Sequence, residues 1–164
     1  MTHSKRKQSI LALLIALCTV LLCACSSDPK NFTVGDITIT LTKAFKENKM
    51  NEFDAYITSS AVSFTAKKET INSLEHAGYE INSLDDYALE IVEANQKSKN
   101  DLKKRGNYIY FLSEGTKSGA KYTYVHCLFK GSGEYWICEF VCKSSDYSKL
   151  ESNILGWADT IVIK

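Results

Sequence analysis

The hydrophobic positions change period several times along the chain, and each change marks an element. Residues 10–22 are continuously apolar except for Thr19, and Lys5, Arg6 and Lys7 precede them. As a helix this run reaches roughly 20 Å, short of the roughly 30 Å hydrocarbon core of a bilayer, so it reads as an export signal and not as a permanent span. Residues 32–42 then alternate, with Ile37, Ile39 and Leu41 on one side and Thr38, Thr40 and Thr42 on the other, which predicts a half-buried strand. A second β-like run covers residues 55–66, where Tyr56, Val62 and Phe64 share a parity; its Ser and Thr content suggests an edge or bulged strand.

The period then lengthens. Residues 69–76 form a short helical candidate, with Ile71 and Leu74 three apart and Gly78 as its stop. Ser83-Leu84-Asp85-Asp86 has the spacing of a capping box, and Leu84, Tyr87, Ala88, Ile91 and Val92 follow on one helical face. Residues 108–113, 121–130 and 134–143 return to strand character and are separated by glycine-bearing segments, residues 115–119 and Gly131-Ser132-Gly133, so a meander is expected. In the last two strands both parities are apolar: Val125, Cys127 and Phe129 against Tyr122, Tyr124 and Leu128, then Trp136, Cys138 and Phe140 against Tyr135, Ile137 and Val141. Strands apolar on both sides are covered on both sides. Tyr147, Leu150, Ile154, Trp157, Ala158 and Ile161 make a final helical stripe, inside which Gly156 suggests close contact with the sheet. The expected fold is α+β: one antiparallel β-sheet with helices packed on both faces, an α/β/α sandwich.

Two features of composition change this picture. Leu22-Cys23-Ala24-Cys25 closes the apolar run and resembles the bacterial lipobox, in which the cysteine is acylated and becomes the new N-terminus. Cys23 is the poorer candidate, because the bulky Leu21 and Leu22 precede it. The expected organisation is a lipoprotein signal peptide over residues 1–24, a tether over 25–31 and one domain over 32–164. Two acyl chains on Cys25, at about 0.8 kcal/mol per buried methylene, suffice for stable anchoring, so the expected address is the extracytoplasmic side of a membrane. Charge argues separately: without residues 1–24 the chain has 20 − 3 = 17 Lys plus Arg against 19 Asp plus Glu, a net of −2. That is no footprint for nucleic acid. The basic run Lys97, Lys99, Lys103, Lys104 and Arg105 reads as a solvated helix end or loop.

Candidate chemistry is sparse. Cys138 and Cys142 lie about 13 Å apart on a strand, too far to share a metal or a disulfide. With Ser132-Gly133 as a two-residue turn, Cys127 faces Cys138 and His126 faces Glu139; a three-residue turn moves Cys127 opposite Ile137. The first register permits a cross-strand disulfide between Cys127 and Cys138, against buried free thiols as the commoner state. His126 beside Glu139 is the start of a general base, but no serine or cysteine nucleophile and no third orienting group is recognisable beside the pair, and a satisfied polar pair in a largely covered sheet is the favoured account. Asp85, Asp86, Glu90 and Glu93 sit where acids cap and complement a helix dipole. Phosphate-loop, nucleophile-elbow, H-E-x-x-H and paired C-x-x-C motifs do not occur, and neither a metal nor another cofactor is implied. Trp136 and Trp157 fall on core faces.

Taken together, Val62-Ser63-Phe64 through Lys68-Glu69, the helix opening Ser83-Leu84-Asp85-Asp86-Tyr87-Ala88, the hairpin Tyr122-Thr123-Tyr124 through Tyr135-Trp136 and the terminal helix from Tyr147 to Trp157 resemble the bacterial PsbP-like and DcrB-like lipoproteins. The resemblance is one of pattern and order over most of residues 32–164, with no catalytic or metal residue to transfer. It implies an antiparallel sheet between helices and a non-catalytic accessory or binding domain whose partner is an unidentified protein or small molecule. Two rivals stand: a hydrolase using His126 and Glu139, which needs His126 at the wall of an open pocket, and a thiol redox protein using Cys127 and Cys138, which needs an exposed thiol of low pKa.

Overall fold

The computed structural model describes residues 28–164. The signal segment, Cys25 and the first part of the tether lie outside the described residues. β1 (Pro29–Val34) and β2 (Ile37–Thr42) form a hairpin, so the alternation over residues 32–42 is two strands and not one. Gly35, at φ +58, makes the turn, a backbone region that residues with a Cβ enter reluctantly. β1 begins at Pro29, so residues 29–31, expected in the tether, pair instead with residues 40–42.

β3 (Lys46–Asn48) is short, and the expected second strand divides into β4 (Ala55–Thr58) and β5 (Val62–Thr70). Ser59 causes the break, because its hydroxyl accepts from the N–H of Ala61 and Val62 while its N–H donates to the Val62 carbonyl. β5 is an interior strand rather than the expected edge. α1 (Ile71–His76) starts only after Thr70, whose hydroxyl caps it, and α2 (Leu84–Ala94) has the full capping box, with Ser83 and Asp86 bonding each other's backbone. A single 3₁₀ turn (Lys99–Asp101) leads to β6 (Lys103–Arg105), whose three exposed residues are the end of the basic run and stand at the sheet edge.

The remaining strands are β7 (Tyr108–Lys117), β8 (Ala120–Lys130) and β9 (Glu134–Lys143), followed by α3 (Ser144–Ala158) and β10 (Val162–Ile163). β7 runs four residues past its expected end, because Ser118 (φ +51) and Gly119 (φ +80) make a two-residue turn of the kind whose twist suits a hairpin. The seven-stranded sheet has the order β3-β4-β5-β9-β8-β7-β6, and β1, β2 and β10 form a second, three-stranded sheet ordered β1-β2-β10. All recorded pairings are antiparallel.

Both faces of the large sheet are covered, as strands apolar on both sides require. One face packs against the small sheet and α3 through Phe64, Val125, Phe129, Phe140, Ile37, Ile39 and Ile154. The small sheet was not expected, so this cover is mixed rather than helical. α2 covers the other face through Tyr87, Ala88 and Val92 against Ile109, Phe111, Leu128 and Tyr135. Two details of α3 differ from expectation. Ile161 is buried but lies beyond the helix, and Gly156 makes no close approach, since a Cβ there would meet nothing within 4 Å.

Candidate functional site

The β8–β9 register follows the two-residue turn: Cys127 faces Cys138, and His126 faces Glu139. The Gly131 N–H donates to the Glu134 carbonyl at 2.8 Å, which makes that pair a hydrogen-bonded one. Every second pair outward is then hydrogen-bonded too, Cys127 and Cys138 included. Such pairs hold their Cβ atoms at the wide end of the range, about 5.5 Å, whereas a disulfide draws them to about 3.5–4.5 Å. In the structure Cys127, Cys138 and Cys142 are buried free thiols. Burial pushes all three thiols above their usual pKa, with Cys127 and Cys138 fully inaccessible. The redox reading needed the opposite, an exposed thiol of lowered pKa.

His126 is 5% exposed. Its Nδ1 lies 3.0 Å from Glu139 Oε2, and its Nε2 lies 2.8 Å from Ser113 Oγ. A carboxylate only accepts, so Nδ1 carries the hydrogen that faces Glu139, and the Ser113 hydroxyl meets the ring's other nitrogen. The imidazole is stacked on Phe111 at 4.4 Å and 13°, and the Tyr124 ring lies nearly parallel to it at 6.2 Å and 14°. Ser113 is the participant that sequence reasoning missed. Taking residues 115–119 as a linker hid the two-residue turn, and that turn places Phe111 opposite His126 and Ser113 opposite Tyr124. The signal was Ser118-Gly119, a turn dipeptide.

Register extends this cluster across the sheet. Tyr56, Thr65, Glu139, His126 and Phe111 form one transverse row, and Thr58, Ser63, Val141, Tyr124 and Ser113 form the next. In the first row Thr65, His126 and Phe111 are buried, whereas every member of the second is half-buried and open on one side. α2 therefore covers only part of this face. The rest is a strip bearing the hydroxyls of Thr58, Ser63, Tyr124 and Ser113, with Tyr56 and Glu139 at its border. Tyr124 lies across Gly115 of β7, where a Cβ would come within 3.1 Å of its ring. A side chain there would press on the ring and make it shift by a few tenths of an ångström.

A cleft of about 480 Å³ runs along the outer side of β7, between Lys97, Asp101 and Lys103 and the residues Leu112, Glu114 and Tyr147. Ser113 contributes to its wall, but His126 and Glu139 do not. Among the described residues no group of three or more His, Cys, Asp or Glu side chains is placed to hold a metal ion. The acids of α2 do what helix acids ordinarily do: Asp86 is held below the usual carboxylate range by the Ser83 hydroxyl and backbone, and Asp85 pairs with Lys104 at 2.6 Å. Trp136 is buried and Trp157 packs edge-on to Phe45, so both serve the core.

No family model matches the chain, and no curated protein does. Solved structures do. A crystal structure from Bacteroides thetaiotaomicron superposes with a TM-score of 0.55 at 12% identity, covering 82% of this chain and 48% of that one, so this chain spans about half its length. The solution structure of cyanobacterial PsbP from Synechocystis gives 0.44 at 8% identity, over 84% of this chain and 92% of that one. A Pseudomonas aeruginosa protein of unknown function, PA94, gives 0.48 at 12% identity, over 84% and 99%. The likeness to the Bacteroides protein shows a shared fold alone.

Proposed function

We propose that this protein is a lipoprotein anchored through Cys25 on the extracytoplasmic side of a membrane, and that its domain is a non-catalytic binding or accessory module. The partner, a protein or small molecule, docks on the open strip of the seven-stranded sheet. One observation carries this reading: the sheet face that α2 leaves uncovered is lined with hydroxyls and tyrosine, while the imidazole beside it is 5% exposed and bonded through both nitrogens. A general base must reach its substrate, and this one is spent on holding three strands in register. The anchor is tested by labelling growing cells with a radioactive fatty acid. Label should enter the protein and disappear in Cys25→Ala, and unchanged labelling of that variant contradicts the reading.

A hydrolase is the second reading, and Ser113 gives it its specific support. Serine, histidine and glutamate are linked in the order that activates a hydroxyl, at 2.8 and 3.0 Å. A fluorophosphonate probe on the native protein separates the two. The binding module leaves Ser113 unlabelled, whereas labelling that is lost in both Ser113→Ala and His126→Asn establishes the enzyme.

A further inference from the structure

The structure assigns one end of the domain, the end at which the chain enters from Cys25, as a basic footing on anionic phospholipid headgroups; this rests on the anchored reading above. Register shows which parts share that end. Asp28 precedes β1, and its carbonyl accepts from the Lys43 N–H just beyond β2. From there the chain passes directly to Lys46, which pairs with Thr58 beside the β4–β5 turn. Val62, after that turn, pairs with Cys142; Lys143 pairs with Tyr122; and Lys117 faces Ala120 across the β7–β8 turn. The β1–β2 turn lies at the other end, where Asp36 bonds Lys68 at 2.9 Å and Ile163 approaches Gly131.

Five exposed lysines stand at the entry end: Lys43, Lys46, Lys117, Lys121 and Lys143. Lys43 pairs with Asp28 at 2.8 Å, and the other four form no ion pair among the described residues. Asp28, Glu47, Glu114 and Asp146 are the carboxylates nearest to them in chain position, so five lysines stand against four acids at this end. Charge elsewhere is distributed to match. Residues 69–96, which contain α1 and α2, hold seven acids (Glu69, Glu75, Glu80, Asp85, Asp86, Glu90 and Glu93) and neither Lys nor Arg. The rest of residues 25–164 therefore has 17 bases against 19 − 7 = 12 acids, a net of +5. A domain polarised in this way on an anionic leaflet turns its basic end inward and its acidic helices outward.

The tether enforces the same orientation. Two residues, Ser26 and Ser27, separate Cys25 from Asp28, and the three Cα–Cα steps span at most about 10 Å, comparable to a Debye length, so the lysines stay within reach of the headgroup charge. The open strip, whose Tyr124 is two residues along β8 from Tyr122, then faces sideways just above the membrane plane.

The full lipidated protein, reconstituted into vesicles with a headgroup-nitroxide lipid, tests this. A fluorophore is placed through Ser118→Cys or, at the far end, Ser132→Cys; the buried native thiols do not compete. In vesicles with one third phosphatidylglycerol, quenching at Ser118 should exceed that at Ser132 by about threefold or more. Replacing phosphatidylglycerol by phosphatidylcholine, or combining Lys117→Glu, Lys121→Glu and Lys143→Glu, should shrink the difference about twofold or more, down to the part that the tether alone imposes. Equal quenching at the two sites, or a difference indifferent to both changes, overturns the assignment. An alkaline wash that strips the protein from the vesicles contradicts the anchor and the footing with it, whereas retained protein with equal quenching contradicts the footing alone.

Discussion

The two faces of the seven-stranded sheet are built from alternate residues of the same strands, yet they differ in kind. The face against β1, β2, β10 and α3 is apolar through its interior, and its one buried polar side chain among the described residues, Thr123, bonds Ser144 of α3. Its large side chains interlock, with Phe64 on Phe140 at 4.9 Å and Phe140 on Trp157 at 6.4 Å. The face beneath α2 is apolar only where the helix lies, and it turns into hydroxyls, one imidazole and one carboxylate where the helix ends. A strand whose two faces diverge in this way carries two tasks. The closed face supplies the stability that lets the other remain partly open, and that open part is the surface to which the proposed docking is assigned.

The comparison breaks most visibly on the closed face. Phe140→Ala removes a fully buried ring from the middle of the core and should cost about 3–5 kcal/mol in denaturant unfolding. At the boundary between the faces, Glu139→Ala leaves His126 Nδ1 buried without its acceptor and should cost about 1–3 kcal/mol. On the open strip, Ser63→Ala should stay within about 0.5 kcal/mol of the parent. A large loss at Ser63 would show that the strip is structural after all.

Smaller effects sharpen the account in the opposite direction. Gly156→Ala, in a helix where a Cβ meets nothing, should stabilise by about 1 kcal/mol. Tyr135→Phe deletes a buried hydroxyl that has no hydrogen-bond partner and should be neutral or slightly stabilising, by less than about 1 kcal/mol. Stability against pH follows from the shifted groups. Folding raises the buried thiols of Cys127 and Cys138 above their ordinary 9.0, so their contribution is complete below pH 9.0 and is lost as the pH rises beyond it, when only the unfolded chain ionises. Asp36, Asp86, Asp101 and Asp159 are lowered from 3.8, by Lys68, Ser83, Ser98 and Arg105 respectively; their contribution is present above 3.8 and fades as the pH falls below it. Melting temperature against pH should therefore be flat between these limits and fall outside both.

The legible parts of this fold were those governed by local chemistry. The Ser83–Asp86 capping box, the stripe of α2 and the β8–β9 register all follow from interactions within a few residues of each other. What the pattern concealed was punctuation and partnership. Gly35-Asp36 interrupts an alternation that continues undisturbed on both sides, because the two strands of the hairpin bury the same kind of residue. The Ser59 turn hid among serines and threonines that also suit a strand. β10 is two residues long and exists only because β2 offers it an edge. At the site, His126 and Glu139 were visible as a pair because one turn sets their register. Ser113 was not, because its place depends on a second turn, Ser118-Gly119, and on a diagonal contact rather than a direct one.

The division between a structural face and a binding face is tested most directly by photo-crosslinking in intact cells. A benzophenone amino acid replaces either Tyr124 on the open strip or Lys149 on the exposed side of α3, in the lipidated protein. The account predicts a discrete covalent adduct from position 124 and none from position 149. An adduct from position 149 alone, equal adducts from both, or none from either would contradict it.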